Sequence, residues 1–267
     1  MYILKYIFMS IFFFLNLNIK IYTNVYLMTT YISKETINRL VKDIKQIKEY
    51  PLHDNGIYYC HDDNNILKGY AVIIGPKNTP YNYGYYLFSI DYPSDYPYQP
   101  PKFTYSTNDG RTRFHPNLYV NGKVCVSILN TWKGEQWSSC QTLSTVLLTI
   151  CSLLDNMPLI NEPGISPKHK DNNNYNKIIS YKNIESAIIG IIEKKIYMDW
   201  FEKFDNIILE KFKENYNDII DVINKNIGET ENNGEEYLTT GIYNLYTNVN
   251  YNKLKKNVIT LYDKINK

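Results

Sequence analysis

Cys125 is where residue type and spacing first suggest chemistry. A thiolate is a nucleophile, and a free thiol with a pKa of ~8.5 is a few per cent ionised at neutral pH. That fraction is adequate for thioester exchange. A thioester is in turn activated toward amines, so one cysteine can collect an acyl group and pass it on. Attack by an amine makes a tetrahedral oxyanion, which an Asn amide N–H aimed at it stabilises by roughly 3 kcal/mol. The run His115-Pro116-Asn117-Leu118-Tyr119-Val120-Asn121-Gly122-Lys123-Val124-Cys125 supplies such an amide and a turn at Asn121-Gly122. On residue types alone Cys125 and His115 also permit a hydrolytic dyad, but no third member or protease-type motif accompanies them.

Elements must hold this irregular segment, Phe114 to Trp137, in place. Upstream, Ser33 to Glu49 predicts an amphipathic helix. Ser33 is the N-cap, and Ile37, Leu40, Val41, Ile44 and Ile47 recur at helical spacing. Lys34, Arg39, Lys42 and Lys45 occupy the polar face, and Pro51 ends it. Strand-like runs follow at Ile57–His61, Ile66–Ile74, Tyr85–Asp91 and Lys102–Tyr105. Their short, Gly-, Asn- and Pro-rich connections favour an antiparallel meander, because parallel pairing needs a long crossover. Downstream, Thr142–Leu154 predicts a helix with Leu143, Val146, Leu147, Ile150, Leu153 and Leu154 buried. Beyond about residue 170 the chain reads as mostly helical over Tyr175–Glu193, Met198–Asn226 and Asn248–Lys267, with Gly228–Glu236 a polar loop.

Together these features resemble the ubiquitin-conjugating (E2) enzymes. The family pattern is a His-Pro-Asn tripeptide with the catalytic cysteine eight residues after the Asn, the spacing of Asn117 and Cys125. Four further stretches agree: GPKNTPYNYGYYLFSIDYP before the site, Tyr96-Pro97-x-x-Pro100-Pro101, Trp137-Ser138 before an apolar helix, and Asn161-Glu162-Pro163. The resemblance implies an α+β fold: an N-terminal helix, a four-stranded antiparallel meander, an active-site loop with following helices, and a helical C-terminal extension. It also implies three segments: an apolar extension (1–30), a catalytic core (31–165) and the extension (166–267). The loop after the cysteine is about four residues longer than in the shortest members. Ser127-Ile128-Leu129-x-Thr131-Trp132-x-Gly134-x-x-Trp137-Ser138 and Asn161-Glu162-Pro163-Gly164 are most similar to the large E2s with C-terminal extensions. One of those also accepts a second ubiquitin-like modifier, so the resemblance leaves choice of E1 and cargo to the tail.

Roles carry over by position. The resemblance implies that Cys125 accepts ubiquitin from an E1 as a thioester and that a lysine on a protein substrate, usually presented by an E3, receives it. Asn117 is either the oxyanion donor or a loop-holding residue. Glu162 matches the acidic position that orients or deprotonates the lysine, with Asp155 as a nearby substitute. His115 and Pro116 are structural. Pro97, Tyr98, Ser138 and Ser139 fall on E3-facing loops, although Cys140 stands where Pro is common. Arg39 and Lys42 match E1-facing helix positions. No cofactor is implied, since ATP is consumed by the E1. The alternatives are an E2 for another ubiquitin-like modifier and a non-catalytic E2-like binding module.

Bulk properties agree. The 267-residue chain carries a net charge of +2 and no long basic run, which gives no case for nucleic acid. Its four cysteines include no CxxC pair, the four histidines have no finger spacing, and no Asn-x-Ser/Thr site occurs. No metal site is therefore expected, and the thiols fit a reducing compartment, cytoplasmic or nuclear. The 27 tyrosines read as compositional drift without functional meaning. Residues 6–15, YIFMSIFFFL, are apolar but fall short of the ~20 residues a membrane span needs. They are either a targeting or anchoring segment or a dispensable extension before Met28, which begins MTTYISKETINRLVKDI. Membrane association stays open on that point.

Overall fold

Ser33 starts the first helix as expected: its Oγ accepts from Thr36 N at 3.0 Å, satisfying an N–H that the first turn leaves free. The computed structural model describes residues 32–230 and 232–267. The apolar extension read at residues 1–30 lies outside the described residues. Helix α1 spans Lys34–Glu49 and buries Ile37, Leu40, Ile44 and Ile47. Each such burial contributes about 1.5–3 kcal/mol. Among the described residues, no helix is long and apolar enough to cross a membrane.

Strands β1 (Ile57–His61), β2 (Lys68–Ile74), β3 (Tyr85–Asp91) and β4 (Lys102–Tyr105) form a four-stranded antiparallel sheet in sequential order. Cys60 pairs with Tyr70, Ala71 with Phe88, and Ile90 with Phe103. β2 and β3 are buried almost throughout, β3 contacts the Asn183–Gly190 segment, and α1 contacts α2 (Leu143–Leu153). Thr142 caps α2 through Thr145 N.

The tail is mostly helical, as read, with a two-stranded hairpin set into it. Helix α3 (Asp171–Lys182) continues as π-helix over Asn183–Gly190, and α4 runs Asp205–Glu229. A hairpin follows, β5 (Glu235–Thr239) and β6 (Tyr246–Asn250), before α5 (Tyr251–Ile265) closes the chain. The region read as loop through Glu236 and helix from Asn248 thus contains two strands. Leu238, Thr247 and Val249 face inward while Tyr237 and Tyr246 face out. This alternation spans too few residues to register beside the longer helical patterns.

The tyrosines are structural. Tyr81, Tyr85, Tyr86, Tyr96, Tyr105 and Tyr175 are fully buried. Most of these phenols find a partner, as buried hydroxyls must. Tyr86 donates to Asn183 Oδ1 at 2.7 Å and Tyr85 to Ile208 O at 3.1 Å, joining sheet to tail. Desolvation drives the pKa values of both upward, so they stay neutral donors.

Candidate active site

The approach to the site is fixed from two sides. Tyr81 donates to Phe114 O and Tyr175 donates to Arg113 O, each at 2.7 Å, so two consecutive carbonyls before His115 are anchored. Arg113 stacks over the Tyr119 ring at 3.3 Å and donates to His115 O (3.1 Å) and Pro116 O (2.5 Å). The turn is therefore held at its backbone before any reactive side chain is considered.

Cys125 and Asn117 face each other through a two-way lock. Cys125 N–H donates to Asn117 O at 2.8 Å, and Asn117 Nδ2 donates to Cys125 O at 2.5 Å. The intervening turn closes through Gly122 N to Tyr119 O at 2.9 Å, with Gly122 at φ +89°, a conformation that favours glycine. The Cys125 side chain is only 2% exposed. Its thiol donates to Thr131 O at 2.9 Å. The Thr131 hydroxyl accepts from Val126 N at 2.9 Å and lies 2.9 Å from Val124 O, so it pins both neighbours of the cysteine. Thr131 stood in the sequence string, but nothing in its type or position marked it as the residue behind the thiol.

In this arrangement one Asn117 N–H is committed to the Cys125 carbonyl, the loop-holding contact. A carboxamide has a second N–H to offer. Asn117 Oδ1 is buried without a hydrogen-bond partner among the described residues.

His115 is fully enclosed. Its Nδ1 accepts from Asn117 N at 3.0 Å, and its other nitrogen is hydrogen-bonded to the Leu153 backbone, with Asn161 Nδ2 3.4 Å away. Burial, with the Arg113 charge second, pushes its pKa down to about 3. A neutral ring that accepts at Nδ1 carries its proton on Nε2. Both nitrogens thus face partners other than Cys125, an arrangement unlike a hydrolytic dyad. Pro116 beside it is buried.

Glu162 is half-buried just after the 3₁₀ turn Pro158–Asn161. Its Oε2 accepts a hydrogen bond from Tyr243 OH in the β5–β6 bend. No sequence signal connects these two positions. Asp155 accepts from Met157 N at 2.7 Å and so serves its own turn.

The surface positions separate into two kinds. Tyr98 is 70% exposed, and Ser138, Ser139 and Lys42 are exposed. Trp137 Nε1 donates to Pro97 O at 2.7 Å, which sets the two loops side by side. Arg39 sits otherwise: its side chain is 17% exposed, paired with buried Asp43 at 3.0 Å, and it donates to Ser139 O and Gln141 O. Tyr96 donates to the same Asp43 carboxylate. Arg39 thereby clamps α1 to the loop before α2, and Lys42 is the basic side chain that projects freely. Among the described residues, no cluster of metal-ligating side chains forms.

A family model described as ubiquitin-conjugating enzyme matches residues 39–183. The chain is 35% identical over 196 residues to "Ubiquitin-conjugating enzyme E2 Z" of Xenopus tropicalis, covering 67% of this chain and 62% of that protein. It is 41% identical over 160 residues to the Homo sapiens protein of the same name, covering 59% and 45%. A solved structure, "Structure of human Ubiquitin-conjugating enzyme E2 G1", is 29% identical with a TM-score of 0.41, covering 46% of this chain and 98% of that chain. The chain spans about half the length of the curated relatives it matches.

Proposed function

This chain belongs to the ubiquitin-conjugating enzyme family, and from that membership we propose that Cys125 takes ubiquitin or a ubiquitin-like protein from an E1 and transfers it to a lysine amine. The supporting observation is the lock between Asn117 and Cys125, which sets a single thiol against a fixed turn. In loading, Cys125 Sγ loses its proton to solvent and attacks the E1-bound thioester. A new C–S bond forms, and the E1 cysteine leaves as thiolate. In transfer, the lysine nitrogen attacks the same carbonyl carbon and Cys125 Sγ is the leaving group. The tetrahedral oxyanion formed when the lysine nitrogen adds, before Cys125 Sγ leaves, is what an amide N–H of Asn117 stabilises.

Glu162 is the acidic group for the incoming amine. Tyr98, Pro97, Ser138 and Ser139 form the E3-facing surface, and Lys42, with Arg39 behind it, the E1-facing one. The chain itself needs no cofactor, because the E1 consumes the ATP. Four free cysteines fit a cytoplasmic or nuclear setting.

Incubation with E1, ATP and ubiquitin, followed by a gel with and without reductant, tests the reading. A reductant-sensitive adduct lost in Cys125→Ala is expected. No adduct with ubiquitin or any ubiquitin-like modifier favours a binding module instead. Loss of the adduct only in Cys60→Ser or Cys140→Ser assigns the chemistry to another thiol.

A further inference from the structure

Tyr243 lies 81 positions from Glu162 in the chain, yet its hydroxyl donates to the Glu162 carboxylate. The contact is built from several independent pieces. Tyr243 and Asn244 adopt φ of 61° and 49°, the left-handed region that bulky residues rarely enter. Such a conformation persists only where neighbours over-determine it. Here they do. Ile242 N donates to Asp171 Oδ2 at 2.8 Å, Thr240 Oγ1 donates to Ile242 O at 2.7 Å, and Thr240 N donates to Leu245 O at 2.9 Å. Asp171 is itself buried at the start of α3.

The ring of Tyr243 is also placed. The Arg113 guanidinium lies 5.1 Å from its centroid, and Tyr175 packs against it at 6.2 Å. Arg113 is the residue that holds the His115 and Pro116 carbonyls. One phenol in the tail therefore touches both the acidic loop and the support of the cysteine's turn. Burial, and then the Glu162 contact, push the Tyr243 pKa upward, so the hydroxyl remains a donor.

We propose that Tyr243 is a positioning residue for amine attack: it occupies Oε2 of Glu162 and so presents Oε1 to the incoming lysine. This rests on the thioester reading above. The neutral lysine amine forms the C–N bond to the thioester carbonyl carbon, and the C–S electron pair leaves with Cys125 Sγ as thiolate. The surplus proton on nitrogen passes to Glu162 Oε1 and then to water. A carboxylate free to rotate meets the amine in fewer productive poses, so losing the hydroxyl slows transfer without touching loading.

The test is single-turnover discharge of the loaded full chain to free lysine, in the wild type, Tyr243→Phe, Glu162→Ala and the double variant. Phe keeps the ring packing, so Tyr243→Phe is expected to load at the wild-type rate and melt within about 2 °C of it. Its rate at saturating lysine falls about fivefold while the half-saturating lysine concentration is unchanged. The double variant discharges at the rate of Glu162→Ala alone, because nothing remains to be positioned. Wild-type discharge in Tyr243→Phe overturns the inference, as does a loss that multiplies onto that of Glu162→Ala. Failure of the wild type to load overturns the thioester reading and this inference with it, and is distinguished by the loading gel.

Discussion

In the proposed transfer reaction the loop of Cys125 and the loop of Glu162 serve one task, yet their side chains are held by different means. Around Cys125 itself the contacts come from within the same short stretch, Asn117 to Cys125, Thr131 to Val124 and Val126, and Asn117 N to the His115 ring, while Tyr81 and Tyr175 anchor only the carbonyls that precede His115. Around Glu162 the side-chain contact arrives from a hairpin bend beyond α4. The turn that carries Cys125 is therefore closed mainly by contacts between near neighbours in the chain. The acidic residue takes its orientation from an element that exists only once the tail has packed on the core.

Acid is expected to have the largest effect, acting on the local half of this comparison through His115 and on the sheet through His61. His115 is buried and His61 half-buried, and desolvation lowers their pKa values to about 3 and about 4. The unfolded chain, with ordinary histidines, binds more protons than the folded one below about pH 6.5. Stability is thus fully present above that pH and is lost as pH falls toward 4. At pH 4.5 the two groups cost on the order of 4 kcal/mol. Thermal melts across this range check it, and His115→Gln should flatten part of the slope.

Asn117→Ala comes next. It removes the side-chain half of the lock with Cys125, which costs about 1–2 kcal/mol of stability by denaturant melt. If the second N–H also meets the oxyanion, discharge falls about 100-fold, more than loading does. A loss confined to stability assigns Asn117 to the loop alone.

Asp171→Ala sharpens the long-range half. It leaves Ile242 N without its acceptor in a part-buried bend, at a cost of about 1–2 kcal/mol. Discharge to lysine should fall several-fold while loading stays normal. Thr131→Val is the smallest change and the mirror image. The hydroxyl that pins Val124 and Val126 disappears for about 1 kcal/mol, and the loading rate rather than lysine discharge should drop. If Asp171→Ala slowed loading as much as discharge, the two loops would not be separately supported.

Legibility followed range. The strands Ile57–His61, Tyr85–Asp91 and Lys102–Tyr105 were readable to the residue, because turn residues bracket short apolar runs. Helix α1 and its Ser33 cap were readable because a cap and a 3.6-residue period are local signals. The β5–β6 hairpin was not: its inward residues Leu238, Thr247 and Val249 are few and sit among polar neighbours. Arg39 read as a free basic position, but its guanidinium closes on Ser139 and Gln141, a hundred residues away. The tyrosines read as drift, whereas Tyr85 and Tyr86 tie sheet to tail.

The sequence by itself determined the family and the meander and singled out Cys125 as the candidate thiol, since each rests on residue spacing within a short window. Only the tertiary structure decided that Thr131 backs the thiol, that His115 is sealed and neutral, and that Tyr243 reaches Glu162. Those outcomes depend on burial and on hydrogen bonds between chain segments, quantities that spacing along a chain does not encode.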